Sequence, residues 1–245
     1  MAFGIIAERR RIAKFSTLLD TDSAGLELWE VRGGKDGERP VGRWWVPTGK
    51  LYELAGVLAE QDMDFYGANG RIGPGGVVLD VGAHVGGFVR VALAHGAGTV
   101  LASEPTPITR ECLLRNCTQE IRDGRVVVMQ AGLWSEATTL AAVKFMRCDA
   151  TRPFTEETRD ARPVPVTTID ALSLDRVDFI KMDIEGAERH ALAGALLTLA
   201  AFKPHLAIAA YHLKDDHAAI RTAILVGNPA YVIQSTFNGF VLIGD

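Results

Sequence analysis

The chain has 245 residues, 48% hydrophobic and 23% charged, an ordinary globular composition with room for one main domain and an extension. Its formal net charge of −4 supplies no general basic field for a polyanion, so nucleic acid is not an expected partner despite the small cluster Arg9, Arg10, Arg11 and Lys14. The longest apolar run, ALAGALLTLAAF, falls short of the ~20 residues that cross a bilayer, and the opening MAFGIIAERRRIAKF is not patterned as a secretory signal, so no membrane is expected and a cytoplasmic protein is.

In chain order, residues 1–70 read as an N-terminal extension. An apparent helix is followed by GLELWEV and GRWWVPTG, two strands around the turn RGGKDGERP. Trp44 and Trp45 should point to opposite faces of the second strand. In GKLYELAGVLAEQDMDFYG, Leu51, Leu54, Val57 and Leu58 recur at helical spacing, so an amphipathic helix leads into the main domain. Tyr66, near its end, is placed to cover a ligand or to pack in the core.

Residues 71–245 read as the main domain. The apolar segments VVLDV, TVLAS, VVVMQ, DFIKMD and HLAIAAYH are separated by lengths that suit helices or crossovers. This alternation predicts an α/β fold with a mostly parallel, Rossmann-like sheet covered on both faces. YVIQSTF and GFVLIGD, parted by little more than Asn238 and Gly239, predict a hairpin whose final strand is antiparallel. Cys112, Cys117 and Cys148 lack the paired spacing of a zinc site and are expected to be buried free thiols.

The first of these strands opens into VVLDVGAHVGG. In such sheets ligands sit beyond the carboxyl ends of the strands, and glycine lets them approach the backbone closely. Gly82 is expected to make the turn, and Gly86 to start a helix tight against sheet and ligand, over roughly residues 86–95. Asp80, at the strand end, can orient the loop or accept a hydrogen bond from an ammonium or hydroxyl group, and so suits a cationic ligand. His84 occupies the place where a dinucleotide fingerprint has its second glycine, which disfavours NAD, and no P-loop Gly-Lys-Ser or Gly-Lys-Thr follows. The second strand ends in SEP, with Glu104 and Pro105 about 20 residues beyond Gly82, where a carboxylate accepts hydrogen bonds from ribose hydroxyls. Gln130 and Ala131, after the third strand, are expected near an adenine. These features together suit S-adenosylmethionine, a nucleoside with an amino-acid tail and no phosphate.

The motifs VVLDVGAHVGGF, SEPTP, VDFIKMDIEGAE and the downstream YH resemble the FkbM family of S-adenosylmethionine-dependent methyltransferases, over about residues 66–215. The resemblance implies the seven-stranded methyltransferase fold and O-methylation of a hydroxyl on a saccharide or a glycosylated natural product. His84 stands where that family more often has asparagine.

Methyl transfer to a hydroxyl needs alignment, a dry pocket and removal of a proton. Asp183, closing the fourth strand, is the first candidate for the base, or for a ligand to a cation that orients the acceptor. His212, read as the end of the fifth strand, is the second candidate for the base. Glu185 joins these two as the remaining catalytic candidate; the three could hold a divalent ion such as Mg²⁺, although one nitrogen among oxygens is not diagnostic. Otherwise Glu185 serves the helix dipole, and Glu188 is expected on a solvated face. Lys181 shares the Asp183 side of its strand and is expected to pair with a carboxylate. His95, His190, His205 and His217 are assigned to helix ends or surface. The N-terminal hairpin and the segment FMRCDATRPFTEETRDARP are expected to shape the acceptor pocket. A small hydroxylated acceptor is the expected partner, self-association is left open, and the competing readings are an NAD-dependent oxidoreductase or epimerase and a non-catalytic nucleoside-binding subunit.

Overall fold

A computed structural model describes residues 2–140 and 163–245. Cys148 and nearly all of FMRCDATRPFTEETRDARP lie outside the described residues. The N-terminal segment forms helix α1 (Ala2–Phe15), strands β1 (Thr17–Thr21), β2 (Leu26–Gly33) and β3 (Arg39–Pro47), and helix α2 (Leu51–Asp62). The expected hairpin is β2–β3, and the unexpected β1 joins it to make an antiparallel three-stranded sheet. Trp44 is buried while Trp45, on the other face, is half-buried, as alternation along an extended strand requires.

This extension is fastened to the main domain through polar contacts at its tryptophans. The Asn116 side chain accepts from the Trp45 N–H at 2.7 Å and donates to the carbonyls of Trp45 and Val85 at 2.9 Å each. The Arg90 guanidinium lies 3.7 Å from the centre of the Trp44 ring, combining a cation–π contact with coverage of apolar surface. Beneath them Ile12, Leu26, Trp44, Leu54 and Leu58 pack with Val85 and Cys112 of the main domain. α2 is thereby fixed beside the sheet edge.

The main sheet has seven strands: β4 (Val77–Val81), β5 (Thr99–Ser103), β6 (Val126–Met129), β10 (Phe179–Met182), β11 (His205–Ala209), β12 (Ile233–Thr236) and β13 (Val241–Gly244). Their spatial order is β12-β13-β11-β10-β4-β5-β6, and β13 runs antiparallel to both neighbours, as the hairpin pattern predicts. β7 (Gly132–Leu133), β8 (Thr138–Leu140) and β9 (Val164–Thr167) form a small separate sheet.

Alternate residues of the main sheet feed two cores. Leu79, Val81, Ile180, Met182, Leu206 and Ile208 pack under α6 (Glu188–Ala193), α7 (Leu196–Phe202) and α8 (Asp216–Gly227). Val78, Val100, Ala102, Phe179 and Ala207 pack on the opposite face, against α3 (Gly87–Ala94) and α4 (Pro107–Asn116), which is followed by the short α5 (Thr118–Arg122). Covering both faces explains why the strands read as nearly continuous apolar runs. The chain path turns from one half of the sheet to the other between β4 and β10, the switch point where ligands bind in such folds.

Candidate active site

Asp80 and Lys181 are partners in the parallel register of β4 and β10, so their side chains emerge on the same face of the sheet. Their register neighbours are Ala102 and Ala207, whose small side chains leave space for the lysine. Lys181 Nζ lies 3.1 Å from the Asp80 carboxylate and donates to the Gly82 carbonyl at 2.7 Å. Burial would strip the Lys181 proton, but Asp80 and Asp183 outweigh it and raise its pKa, while burial outweighs Lys181 and raises that of Asp80. Asp80 is fully buried. It holds the lysine that holds the loop, and its carboxylate is not on the cleft wall, where a direct contact with a cationic ligand was expected.

The loop after β4 is shaped by left-handed backbone at Gly82 (φ +82°), His84 (φ +51°) and Gly86 (φ +96°). A Cβ on Gly82 would collide with the Asp183 carbonyl oxygen, so only glycine lets the β4 and β10 ends close together. The N–H groups of Gly82 and Ala83 both donate to the Ser103 carbonyl. Glu104 reaches back from β5, accepting from the N–H groups of His84 (3.1 Å) and Thr106 (2.8 Å). Burial raises its pKa against those bonds. Gly86 instead caps α3 against Leu113 and Cys117. Gln130 is exposed, and the Ala131 carbonyl accepts from Ser103 Oγ at 2.6 Å. Neither residue, nor Gly86, lines the cleft, because the chain after β6 turns into the small sheet.

Asp183 follows β10 and gathers the other side of the site. Tyr66 donates to its carboxylate at 2.6 Å, and the Tyr211 hydroxyl lies 3.3 Å from both of its oxygens. His212 sits in the loop three residues past β11 rather than at its end, yet its Nε2 comes within 3.3 Å of Asp183. Its Nδ1 lies 3.2 Å from Glu188. The solvated face expected for Glu188 is wrong. The residue is fully buried, accepts from the Ile184 N–H at 2.8 Å, and closes the turn that leads into α6. Glu185, with φ +59°, is exposed, and its carboxylate is 3.7 Å from His212.

These contacts set the protonation states. Burial would raise the Asp183 pKa, but His212, Lys181 and Tyr66 outweigh it and hold the carboxyl at about 2. Burial would lower His212, but Asp183 and Glu188 outweigh it and carry the ring to about 10. At neutral pH the centre is therefore an imidazolium between two carboxylates, which leaves His212 no lone pair to act as the base and makes Asp183 a weak one. Ligand atoms of Asp183, Glu188 and His212 lie within 4.8 Å of one another, so Glu188 rather than Glu185 completes the cluster.

Because the folded pKa of His212 lies above the ordinary 6.5, its contribution to stability is complete below that value and lost as pH rises toward about 10. Thermal midpoints recorded across this window should fall, and His212→Gln should flatten the fall.

Tyr66, the Gly82–His84 loop, Glu104, Lys181, Asp183, Glu185 and Tyr211 border one cleft of about 640 Å³, whereas His212, expected at its mouth, stands behind Asp183 with Glu188 and does not line it. One wall is Gly82–His84, Glu104–Thr106, Lys181, Asp183, Glu185 and Tyr211; the facing wall comes from Arg9 and from Glu53, Val57 and Glu60 of α2. Sequence reasoning missed Glu60 and the part played by Tyr211. The latter was in view as the first letter of the YH motif; nothing local marks the former.

The sequence profile of the methyltransferase FkbM domain matches residues 80–232, more than half of the chain. The chain belongs to the FkbM methyltransferase family. Among solved structures, the FkbM methyltransferase from Methylobacillus flagellatus KT is 24% identical with a TM-score of 0.56, over 80% of this chain and 54% of that one. This chain thus spans about half the length of that protein, and the likeness is one of fold. Aeropyrum pernix fibrillarin in complex with S-adenosylmethionine is 12% identical, covering 94% of this chain and 96% of that one, with a TM-score of 0.45. Magnesium protoporphyrin IX methyltransferase from Synechocystis PCC 6803 is 16% identical, over 81% and 84%, also at 0.45. No curated protein matches the chain. Family membership agrees with the resemblance carried by VVLDVGAHVGGF and IKMDIEGAE.

Proposed function

We propose that this FkbM protein transfers a methyl group from S-adenosylmethionine to a hydroxyl of a small molecule, a saccharide or a glycosylated natural product. The observation that carries the reading is the make-up of the cleft at the switch point. Glu104 and the Gly82–His84 loop stand on one side of its wall and the Asp183 centre on the other. His84 Nδ1 is buried without a hydrogen-bond partner among the described residues, in a residue that lines the cleft, so a polar ligand atom would satisfy it. The carboxylates of Glu104 and Asp183 suit ribose hydroxyls and positive charge, and they oppose the phosphates of NAD.

When bound, S-adenosylmethionine supplies an activated methyl group, so the protein's share is alignment, exclusion of water and handling of the acceptor's proton. The loop of Gly82–His84 and the stretch Glu104–Thr106 would hold the cofactor. Tyr66, fully engaged with Asp183, closes the floor against water. Asp183 keeps one negative charge at the centre, balancing the imidazolium of His212. The reading calls on no divalent cation, because that imidazolium already supplies the positive charge between Asp183 and Glu188. It places the protein in the cytoplasm, acting on a small acceptor rather than nucleic acid. No helix among the described residues is long and apolar enough to cross a membrane.

Calorimetry tests the cofactor directly. S-adenosylhomocysteine should bind and NAD should not, and Glu104→Ala should weaken S-adenosylhomocysteine on the order of 10–100-fold by removing charge-assisted hydrogen bonds. Binding of NAD without S-adenosylhomocysteine would transfer the chain to the oxidoreductase reading.

A further inference from the structure

If the cleft binds S-adenosylmethionine, a group must receive the acceptor's proton, and the two residues first suggested for that task are poorly suited. His212 is already protonated and Asp183 is tied to two tyrosine hydroxyls and a histidine. Glu104 is engaged by two backbone N–H groups, and Glu53 by Lys50. Glu60 differs. It lies in the last turn of α2, lines the cleft, and its carboxylate makes no hydrogen bond or ion pair among the described residues. The groups it faces are Asp183 and Lys181 from the β10 end, Arg9 from α1, and the hydroxyls of Tyr66 and Tyr211.

We propose that Glu60 is the proton-exchanging acid of the cleft: a carboxylate while the sulfonium is bound, and the acceptor of the hydroxyl proton as the methyl group moves. This rests on the S-adenosylmethionine reading. In that step the hydroxyl oxygen's electron pair forms the bond to the methyl carbon, and the carbon–sulfur bond breaks with its pair left on sulfur. The proton passes to Glu60. The products are a methyl ether, a neutral thioether and a protonated Glu60, which returns its proton to water.

The surroundings support the exchange. Burial and then Asp183 raise the Glu60 pKa to about 7, with Lys181 and Arg9 opposing. Near neutral pH the ligand-free group is therefore half protonated. A sulfonium brought into the cleft adds positive charge and drives the proton off, whereas the thioether product carries no such charge.

Calorimetry at pH 7 in buffers of different ionisation enthalpy reads this without an acceptor. Wild-type protein should release about half a proton per S-adenosylmethionine bound and about none per S-adenosylhomocysteine. Glu60→Gln should release none with either ligand, and should bind S-adenosylhomocysteine within about threefold of wild type but S-adenosylmethionine on the order of tenfold more weakly, because the linkage that expels the proton also strengthens binding of the sulfonium. Infrared titration of the ligand-free wild type should show a protonated carboxyl band disappearing with a midpoint near 7, absent from the variant. Equal proton release by wild type and variant, or no carboxyl band surviving above the usual range, would overturn the assignment. Failure of wild type to bind S-adenosylhomocysteine is a different result, which removes the cofactor reading and this inference with it.

Discussion

Asp183→Asn should lower methyl transfer on the order of 10³-fold while S-adenosylhomocysteine still binds within about threefold of its wild-type affinity. The side chains are nearly the same size, so packing is kept and charge is lost. Tyr66 and Tyr211 both direct hydroxyls at this carboxylate, and His212 closes on it from the loop beyond β11. An amide offers one acceptor oxygen and an NH₂ group that competes with those donors, so at least one hydroxyl must turn away.

The electrostatic consequence is larger than the loss of a contact. With the carboxylate gone, the ammonium of Lys181 on the cleft wall and the ring of His212 behind it are balanced by one negative charge fewer, and a sulfonium meets a more positive site. Affinity for S-adenosylmethionine should therefore fall by on the order of tenfold, more than that for the neutral product. Parallel measurement of both ligands and of transfer separates the effects. Full transfer activity in Asp183→Asn would show that this centre does not organise the reaction.

The second large effect concerns stability. Lys181→Met should destabilise the fold by about 3–5 kcal/mol, because it leaves the Asp80 carboxylate buried without its counter-ion. Methionine roughly matches the lysine stem, so little of the loss comes from packing. The Gly82 carbonyl also loses its donor. Adding Asp80→Asn to the same chain should recover most of the loss, since the uncompensated charge is then gone.

Burial already pushes the Asp80 pKa upward, so in the single variant the carboxyl takes a proton more readily and the penalty shrinks as pH falls. Denaturant unfolding at two pH values checks the magnitude and its direction together. A neutral Lys181→Met substitution would mean that Asp80 is held in its uncharged form.

Much of the site could be read in the sequence where a local pattern carries it. VVLDVGAHVGG announces its strand, turn and helix start within eleven residues, and the Gly82 φ of +82° fulfils the turn it implies. Asp183, Tyr66 and His212 were each singled out, and the structure brings all three together. One reading failed and another stayed undivided for lack of local information. Glu188 was expected on a solvated helix face, whereas here it is buried, accepting from the Ile184 N–H and facing His212 from a distant loop. Asp80 was given two roles, orienting the loop or meeting the ligand, and the β4–β10 register, which sets Lys181 beside it and buries it, favours the first through the Lys181 bond to Gly82.

The sequence by itself determined the alternation of strands and helices, the glycine turn and the residues at the strand ends, because each depends on neighbours a few positions away. The tertiary structure alone decided which charges meet. The Asp80–Lys181 pair depends on strand register, the protonated His212 on two carboxylates converging around one ring, and the approach of Glu60 to Asp183 on the packing of α2 against Val85, Gly87 and Cys112 of the main domain. Protonation follows distance and burial, and both are set only when segments far apart in the chain pack together.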